Sequence, residues 1–553
     1  MTAHAQDRTG ETRGMTVGLV DPVRDRAAVT LAGRWRARLW RPVTALAGGL
    51  VMDLGFPGLG WWPLTLVGVA MVLAAVDGLR FWRAAGVGAI AGLAFYLAIA
   101  SWSGLYLGPV PWIALSASQA IAVGLGCGLI GFASRLIPAR GAYLLYPLLT
   151  AGLWAAREEV AARWPYNGFS WGRVAFSHSE GVLAPLLSWV GASGLTFVLV
   201  AIAAAGYRIV RAVADDQGAR AWQESAKADR RPALRSTLTA AAAWATVAAA
   251  LTLVPVWQLP SAGTITVGAV QGNGPAGYFT ARERGDLLAA SERATATITP
   301  GSVDVVVWPE DGSDLDPTRS AEALDRIMRV ADTVDAPLIL GAITKRDDLY
   351  YNTSLAFEPG LSTPTDFYDK KRPVPFGEYV PDRAFWSMLA PDLIGLVARD
   401  YVPGTREGVL EVGGLRLGSS ICFDITSDDV ISDLPARGAQ LILAQSNNGD
   451  FGTTDESVQQ LAIARVRALE TGRDVVNIST VGTSAIIDGS GRTTAALPTF
   501  EAGVMVQEVT LRDGLTPATR MRGVLPLAIV IVSLLTLAGL ALRGLTSTAV
   551  EAA

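Results

Sequence analysis

The chain divides into long apolar runs and one block in which polar and apolar residues alternate at short intervals. A run of about 20 apolar residues has the length of a helix that crosses a bilayer. Eight such runs occur, at about 42–58, 61–78, 84–104, 109–134, 141–157, 183–207, 236–257 and 523–543. We therefore predict an α-helical membrane bundle of eight spans.

Residues 263–513, between the seventh and eighth runs, have the composition of a soluble domain. The runs with the pattern of strands are Ile265–Gln271, Val303–Trp308, Pro337–Ala342, Leu349–Glu358, Leu415–Phe423, Gln440–Gln445, Asp474–Thr480 and Ser484–Asp488. The runs with helical periodicity are Ala281–Thr299, Ser320–Thr333, Thr426–Leu434 and Glu456–Thr471. Alternation of strands and helices followed by paired strands is typical of layered structures, so we predict an α/β sandwich.

Basic residues indicate the orientation, because cytoplasmic loops carry an excess of lysine and arginine. Four arginines lie within 34–41, and further basic residues fill the loops after the second, fourth and sixth runs. The loops on the other side, after the first, third and fifth runs, contain few basic residues. The N-terminus is therefore predicted to be cytoplasmic and the sandwich extracytoplasmic, although Arg520 and Arg522 run against this bias.

The expected organisation has four parts. They are a polar cytoplasmic tail at 1–41, seven spans at 42–258, the extracytoplasmic domain at 259–515, and the last span with a short cytoplasmic tail at 516–553. Acidic residues in the first 33 positions argue against a cleavable signal peptide. The aromatic segment 158–182 is too polar to span, and we predict an arm at the membrane–water boundary. An ordinary outer loop is the alternative.

The composition excludes several classes of protein. Half of the residues are hydrophobic and 17% are charged, whereas soluble domains carry about a quarter charged residues, so part of the chain lies in lipid. No basic stretch is interleaved with aromatic residues, and we predict no nucleic-acid partner. Two cysteines and two histidines cannot supply a disulfide framework or a zinc site. No metal and no organic cofactor are predicted.

Three short segments carry the candidate chemistry. Glu310 follows three valines and Trp-Pro, Lys370 precedes a proline-rich loop, and Cys422 stands where an apolar strand ends. Taken singly, the carboxylate fits a surface residue or a helix cap, and the lysine fits one member of a solvated pair with Lys371. The cysteine taken alone fits a small core residue. Together, a carboxylate, a lysine and a thiol are the parts of an activated-thiol acyl-transfer site.

The order of these segments resembles a known family. Trp-Pro-Glu at 308–310, Val-Pro-Phe-Gly-Glu at 374–378 and Ile-Cys-Phe-Asp at 421–424 resemble the Glu-Lys-Cys triad motifs of the nitrilase superfamily. With the sandwich between spans seven and eight, the chain resembles the bacterial apolipoprotein N-acyltransferase family over about 42–543. The resemblance implies a nitrilase-like αββα sandwich as the catalytic domain.

The resemblance also implies a role for each residue of the site. Glu310 would be the general base that takes the thiol proton. Cys422 would be the nucleophile that forms a thioester acyl-enzyme. Lys370 would stabilise the oxyanion of the tetrahedral intermediate, with Lys371 as the neighbour that could be mistaken for it. Glu378 would be a supporting carboxylate that orients Lys370 or the substrate amine.

Two departures from the family pattern concern the acceptor side of the site. The family usually has Tyr-Glu after the cysteine, where this chain has Phe423 and Asp424. The family commonly has tryptophan where this chain has Asp450. Tyr278 or Phe279 is expected to be the aromatic lid residue.

The resemblance implies acyl transfer from a glycerophospholipid to the α-amine of a diacylated apolipoprotein. The expected protein is a monomeric, multi-pass protein of the bacterial cell membrane whose catalytic domain is extracytoplasmic. One alternative is a membrane-tethered amidase, in which water discharges the thioester. Another is a catalytically weakened homologue that binds lipoproteins, which Phe423 and Asp424 keep open.

Overall fold

The computed structural model describes residues 39–222 and 231–551. Most of the predicted N-terminal tail and part of the basic connection after the sixth run lie outside the described residues. The helices of the first half are α1 (39–53), α2 (Pro63–Val76), α3 (Phe81–Ile99), α4 (Ser103–Leu107), α5 (Pro109–Leu136), α6 (Leu145–Ala161), α7 (Leu187–Trp222) and α8 (Arg231–Leu251).

Among the described residues, four helices are long and apolar enough to cross a membrane, so the eight predicted spans are not confirmed. These four are Phe81–Ile99, Pro109–Leu136, Ala184–Asp215 and Val524–Thr546. Helix α2 has 14 residues and α6 has 17. At 1.5 Å per residue, α2 is only about 21 Å long, less than the bilayer core of about 30 Å.

Small residues bring α3 and α5 into close contact. A Cβ atom added at Gly88 would lie 2.3 Å from the Cβ atom of Cys127, and one added at Gly92 would lie 2.7 Å from the Cβ atom of Val123. Glycines at such positions allow two helix backbones to approach closely, which is how apolar helices associate in lipid.

The second half contains helices and strands in alternation. The helices are α9 (Asp286–Thr295), α10 (Ala321–Val334), α11 (Arg383–Leu389), α12 (Pro391–Leu396), α13 (Asp428–Ala436), α14 (Glu456–Thr471), α15 (Pro517–Arg520) and α16 (Val524–Glu551). The strands are β1 (Ser261–Gln271), β2 (Val305–Val307), β3 (Leu338–Arg346), β4 (Leu349–Phe357), β5 (Asp366–Asp369), β6 (Val409–Val412), β7 (Leu415–Ile421), β8 (Leu441–Ser446), β9 (Val475–Ser479), β10 (Ala485–Ile487), β11 (Thr493–Ala496) and β12 (Gly503–Arg512).

The described strands form two six-stranded sheets with matching plans. One has the order β12-β1-β2-β3-β4-β5 and the other β11-β10-β9-β8-β7-β6. In the first sheet β1, β2 and β3 are parallel, and in the second β7, β8 and β9 are parallel, while the outer pairs are antiparallel. Apolar side chains of both sheets meet in one core, so the sheets pack face to face.

Helices cover the outer face of each sheet. Helices α9 and α10 pack on the first sheet. Helices α13 and α14 pack on the second sheet and share a core with the helices of the first half. The block is therefore the predicted α/β sandwich, and its second helical layer rests on the apolar helices.

The strand prediction was right at eight positions and missed four strands. The missed strands are β5, β6, β11 and β12. Three of them have four residues or fewer, too few to establish an alternating pattern, whereas β12 is a ten-residue strand that pairs with β1. Helix α9 is shorter than the predicted Ala281–Thr299 because its cap is Gly285.

The arm at 158–182 is mostly buried in protein. Phe169, Trp171 and Phe176 are 8%, 3% and 1% exposed, whereas Trp164 is 72% exposed. The indole rings of Trp171 and Trp102 contact each other with centroids 5.1 Å apart. Its buried aromatic rings therefore pack against the helices and the sandwich, and the position of the arm at the membrane–water boundary stays a prediction.

Candidate active site

The ends of parallel strands bring distant parts of the chain together. Cys422 directly follows β7, Asn447 directly follows β8, and Glu310 lies three residues after β2. Gln445, near the end of β8, bridges the two sheets: its Nε2 atom donates to the carbonyl of Trp308 at 2.7 Å. Carboxyl ends of parallel strands are common positions for active sites, because loops from neighbouring strands converge there.

Two carboxylates surround the ammonium of Lys370. Its Nζ atom lies 3.1 Å from Glu310 Oε1 and 2.9 Å from Glu378 Oε2. Lys370 is 1% exposed and Glu310 is 5% exposed. A charge buried this deeply is stable only when it is paired and hydrogen-bonded, and both partners are present here.

Asn352, in β4, fixes the two carboxylates relative to each other. Its Nδ2 atom donates to Glu310 Oε1 at 2.6 Å and to Glu378 Oε1 at 2.9 Å. The backbone N–H of Asn447 donates to the second oxygen of Glu310 at 2.8 Å. The Glu310 carboxyl is therefore held at both oxygens, and its orientation is set before any substrate binds.

The backbone at Cys422 is left-handed, with φ of +48°. Such a conformation costs a non-glycine residue roughly 1–2 kcal/mol and clusters at functional sites. Cys422 opens a short 3₁₀ turn, and its Sγ atom lies 3.8 Å from the Nε2 atom of Gln460.

The two residues after the cysteine support the turn. Asp424 is fully buried and accepts hydrogen bonds from the Tyr368 hydroxyl at 2.8 Å and from the backbone N–H of Arg372 at 2.8 Å. Phe423 stacks on Phe169 of the arm with ring centroids 6.4 Å apart. Both side chains therefore contact other protein groups, whereas from the sequence we expected them on the acceptor side of the site.

The charges of the cluster shift its pKa values. Burial raises the pKa of Glu310 to about 7, opposed by the Lys370 ammonium. Burial and the Glu310 carboxylate raise the pKa of the Cys422 thiol well above its ordinary value. Burial opposes the charged form of Lys370, but Cys422 and the carboxylates raise the pKa of its ammonium well above its ordinary value. The resting site therefore holds a neutral thiol beside a carboxyl that can take its proton.

The aromatic pair Tyr278 and Phe279 lies on the loop after β1. The two rings are in edge contact, 4.9 Å apart, and their side chains are 38% and 57% exposed. The Tyr278 amide donates to Asp450 Oδ1 at 2.6 Å, and the Tyr278 hydroxyl donates to the Leu396 carbonyl at 3.4 Å. The assignment of one of them as a lid stays a prediction.

The structure adds residues that the sequence did not point to. Asn352 lies inside a strand, and Gln460 and Glu456 lie on the buried side of α14, 3% and 2% exposed. Polar residues on the inward side of a helix indicate buried hydrogen-bond partners, because burying a polar group without a partner costs stability. The spacing of Glu456 and Gln460 could have identified the polar face of α14, but it could not have identified Cys422 as a partner of that face.

A match to a family model gives the class of the sandwich domain. Residues 266–514 match a family model described as carbon-nitrogen hydrolase. An amidase from Nesterenkonia sp. of known crystal structure is 18% identical, with 48% of this chain and 96% of that chain covered and a TM-score of 0.34. The sandwich is a nitrilase-like domain of the carbon-nitrogen hydrolase class, joined here to apolar helices that fit a membrane protein.

Comparison over the whole chain specifies the family. Residues 48–205 match a model described as the apolipoprotein N-acyltransferase N-terminal domain. The apolipoprotein N-acyltransferase of Mycolicibacterium smegmatis is 32% identical over 518 residues, covering 88% of this chain and 83% of that protein. The protein of the same name from Azotobacter vinelandii is 30% identical, covering 88% and 93%. The chain belongs to the apolipoprotein N-acyltransferase family, which confirms the resemblance seen in the motifs.

Proposed function

We propose that the protein transfers a fatty acyl group from a glycerophospholipid to the α-amine of the diacylglyceryl-cysteine of apolipoproteins, through a thioester on Cys422. The observation that carries this proposal is the buried cluster of Glu310, Lys370 and Glu378 beside Cys422. A base and a fixed ammonium next to a thiol are the groups that acyl transfer requires.

The first half-reaction forms the acyl-enzyme. Glu310 takes the thiol proton while Sγ attacks the ester carbonyl of the phospholipid, and Lys370 stabilises the oxyanion. The carbon–oxygen bond then breaks, the proton passes from Glu310 to the leaving oxygen, and a lysophospholipid departs. In the second half-reaction the neutral lipoprotein amine attacks the thioester carbonyl and Glu310 takes a proton from the attacking nitrogen. The carbon–sulfur bond breaks as the amide forms, and that proton passes to the sulfur of Cys422.

The site residues and the membrane arrangement belong to the same proposal. We propose that the eight predicted apolar runs cross the bacterial cell membrane, including the run that contains α2, a helix shorter than the bilayer core. The proposed four-part organisation is 1–41, 42–258, 259–515 and 516–553. The sandwich is extracytoplasmic, Tyr278 or Phe279 covers the site, and the protein works as a monomer. Alternation of basic loops and the apolar helices support this arrangement.

An acyl-transfer assay tests the chemistry. Purified protein receives a phospholipid with a labelled acyl chain and a synthetic diacylated lipopeptide, and mass spectrometry follows the lipopeptide. We expect N-acylated product with the wild type, none with Cys422→Ser, and a loss of about 10²–10³-fold with Lys370→Met. The matched control is Lys371→Met, which should retain activity.

Two outcomes would contradict the proposal. Product formation by Cys422→Ala, which leaves no nucleophilic atom at this position, would mean that another group is the nucleophile. Release of free fatty acid without amide product would mean that water discharges the thioester, as in an amidase.

A further inference from the structure

Helix α14 turns polar side chains toward the turn that carries Cys422. Glu456, Gln460 and Arg467 are 2%, 3% and 0% exposed, although this helix packs between a sheet and other helices. Buried polar groups cost stability unless they are hydrogen-bonded. The hydrogen-bond partners of Gln460 include the Cys422 thiol.

Asn448 fixes the orientation of the Gln460 amide. Ser479 Oγ donates to Asn448 Oδ1 at 2.6 Å, which makes Nδ2 the donor end of this amide. That Nδ2 atom donates to Glu456 Oε2 at 2.6 Å and to Gln460 Oε1 at 2.9 Å. Because Oε1 of Gln460 is thus the acceptor end, its donor Nε2 is the atom that lies 3.8 Å from Cys422 Sγ.

We propose that Gln460 is a catalytic residue that donates a hydrogen bond to the Cys422 thiolate. Asn448 and Glu456 are positioning residues that hold the Gln460 amide in this orientation. The inference rests on the proposed function, in which Cys422 is the nucleophile. When the proton moves from Sγ to the Glu310 carboxylate, negative charge stays on sulfur, and a donor already in place stabilises it without reorganisation.

The charged groups facing the thiol explain why a neutral donor matters. Burial raises the pKa of the Cys422 thiol most strongly, neighbouring carboxyls raise it further, and the Lys370 ammonium lowers it. These carboxyls are Glu310, Glu456 and Glu378. Burial raises the pKa of Glu456 itself to about 8, and the Glu310 charge adds to this. At neutral pH Glu456 is therefore an uncharged partner for Asn448, which spares the thiolate another negative neighbour.

Alkylation of the thiol tests the bond directly. Iodoacetamide reacts with Cys422 in the purified full-length protein over a range of pH, and mass spectrometry of the Cys422 peptide gives the rate. Gln460→Met keeps the length of the side chain and removes the N–H group. We expect the thiol pKa to rise by about one unit and the rate at neutral pH to fall about tenfold.

The chain offers a matched control one residue earlier. Gln459 is equally buried in the same helix but accepts a hydrogen bond from Trp171 Nε1 at 2.6 Å. Gln459→Met should leave the thiol titration unchanged. A wild-type titration of the thiol in Gln460→Met would overturn the proposal. If the methionine variant does not fold, the thiol is titrated in Gln460→Glu, which replaces the donor amide with a carboxyl.

Variants of Glu456 separate positioning from general stability. Glu456→Gln keeps an acceptor for Asn448 and removes a carboxyl that raises the thiol pKa, so its thiol pKa should not exceed that of the wild type. Glu456→Leu removes the same carboxyl and also the acceptor, so relative to Glu456→Gln it should shift the thiol titration in the direction of Gln460→Met. A merely structural role would lower thermal stability in Glu456→Leu without shifting the titration, which would overturn the positioning role. If Cys422→Ala retained acyl transfer, the proposed function would fail, while alkylation of Cys422 in the wild type and the Gln460 variants would still measure the hydrogen bond.

Discussion

Glu310 has the pKa that a general base at neutral pH needs. Burial raises the pKa of this carboxyl to about 7, against the attraction of the Lys370 ammonium. Only the ionised carboxylate can take the thiol proton, so the acylation rate should rise with pH up to about 7 and then level off. Single-turnover acylation of Cys422 from a labelled phospholipid, followed over pH, checks this.

Glu310→Gln provides the comparison for this pH profile. It keeps an acceptor for Asn352 but cannot take a proton. We expect an acylation rate lower by about 10²–10⁴-fold, without the rise near neutral pH. A wild-type rate that does not fall in acid would show that another group is the base.

Glu456 should make stability depend on pH. Burial raises its pKa from 4.5 to about 8. The folded state therefore holds the proton more tightly than the unfolded state, and stability falls as pH rises between these two values. At neutral pH the cost is about 3 kcal/mol, at 1.36 kcal/mol per unit.

Glu456→Gln removes this titration and keeps the hydrogen bond to Asn448. Its melting temperature should exceed that of the wild type by a margin that grows from about pH 5 to about pH 8. Thermal unfolding in detergent at several pH values measures the margin. The same margin at every pH would mean that Glu456 is not buried as a neutral acid.

Sequence motifs pointed to the three triad candidates and to Glu378, but not to Asn352 or Gln460. Glu310, Lys370 and Cys422 each stand in a short, unusual motif, so local sequence points to them. Asn352 looks like any polar residue in a strand, and it gains its role from a carboxyl 42 positions away. This contact depends on the order of strands in the first sheet, where β3 lies between β2 and β4, and local pattern does not encode that order.

At the scale of elements, α14 holds the turn that follows β7. Arg467 is fully buried and donates to the carbonyls of Ile425 and Thr426, each at 2.8 Å. Its guanidinium also pairs with Asp428 at 2.8 Å. A planar fork can serve these partners together, and a lysine ammonium cannot reproduce that geometry.

Arg467→Lys should therefore loosen the turn that carries Cys422. We expect a loss of stability of about 1–3 kcal/mol, since buried acceptors lose their donors, together with slower acylation of the cysteine. Thermal unfolding and single-turnover acylation measure the two effects. Arg492→Lys, at a side chain that is 79% exposed, is the control and should change neither quantity.

Element prediction was most accurate for α14, whose repeating pattern is long. Helix α14 begins and ends where its period predicted, at Glu456 and Thr471. Strands of four residues are too short to show a period, and β5 and β6 were missed for this reason. Apolar composition indicated the helices of the first half, but their lengths depend on turns and kinks such as Gly191, with φ of +65° inside α7.

At the scale of the whole molecule, the arm at 158–182 joins the apolar helices to the region that follows Cys422. Arg173 of the arm donates to Asp428 at 2.6 Å, and Ser170 Oγ donates to the carbonyl of Thr426 at 3.0 Å. These contacts join residues about 255 positions apart. The two halves of the chain therefore fold onto each other, an arrangement that hydropathy and local pattern alone did not predict.

Membrane orientation gives the last prediction. If the alternation of basic loops sets the topology, the sandwich and the end of α16 lie on opposite sides of the membrane. The parent chain carries Cys127→Ala and Cys422→Ser, which remove both native thiols. Two single substitutions are then made in this parent: Ser302→Cys, on an exposed loop of the sandwich, or Thr546→Cys, near the end of α16.

A membrane-impermeant maleimide should label Ser302→Cys in intact spheroplasts and label Thr546→Cys only after the membrane is opened. The cysteine-free parent controls for background labelling. Protection of Ser302→Cys with labelling of Thr546→Cys would reverse the orientation, and labelling of both would mean that α16 does not cross. In the proposed function the acceptor amine lies on the extracytoplasmic side, and only a sandwich on that side gives Cys422 access to it, so the labelling result bears on the acceptor as well as on the topology.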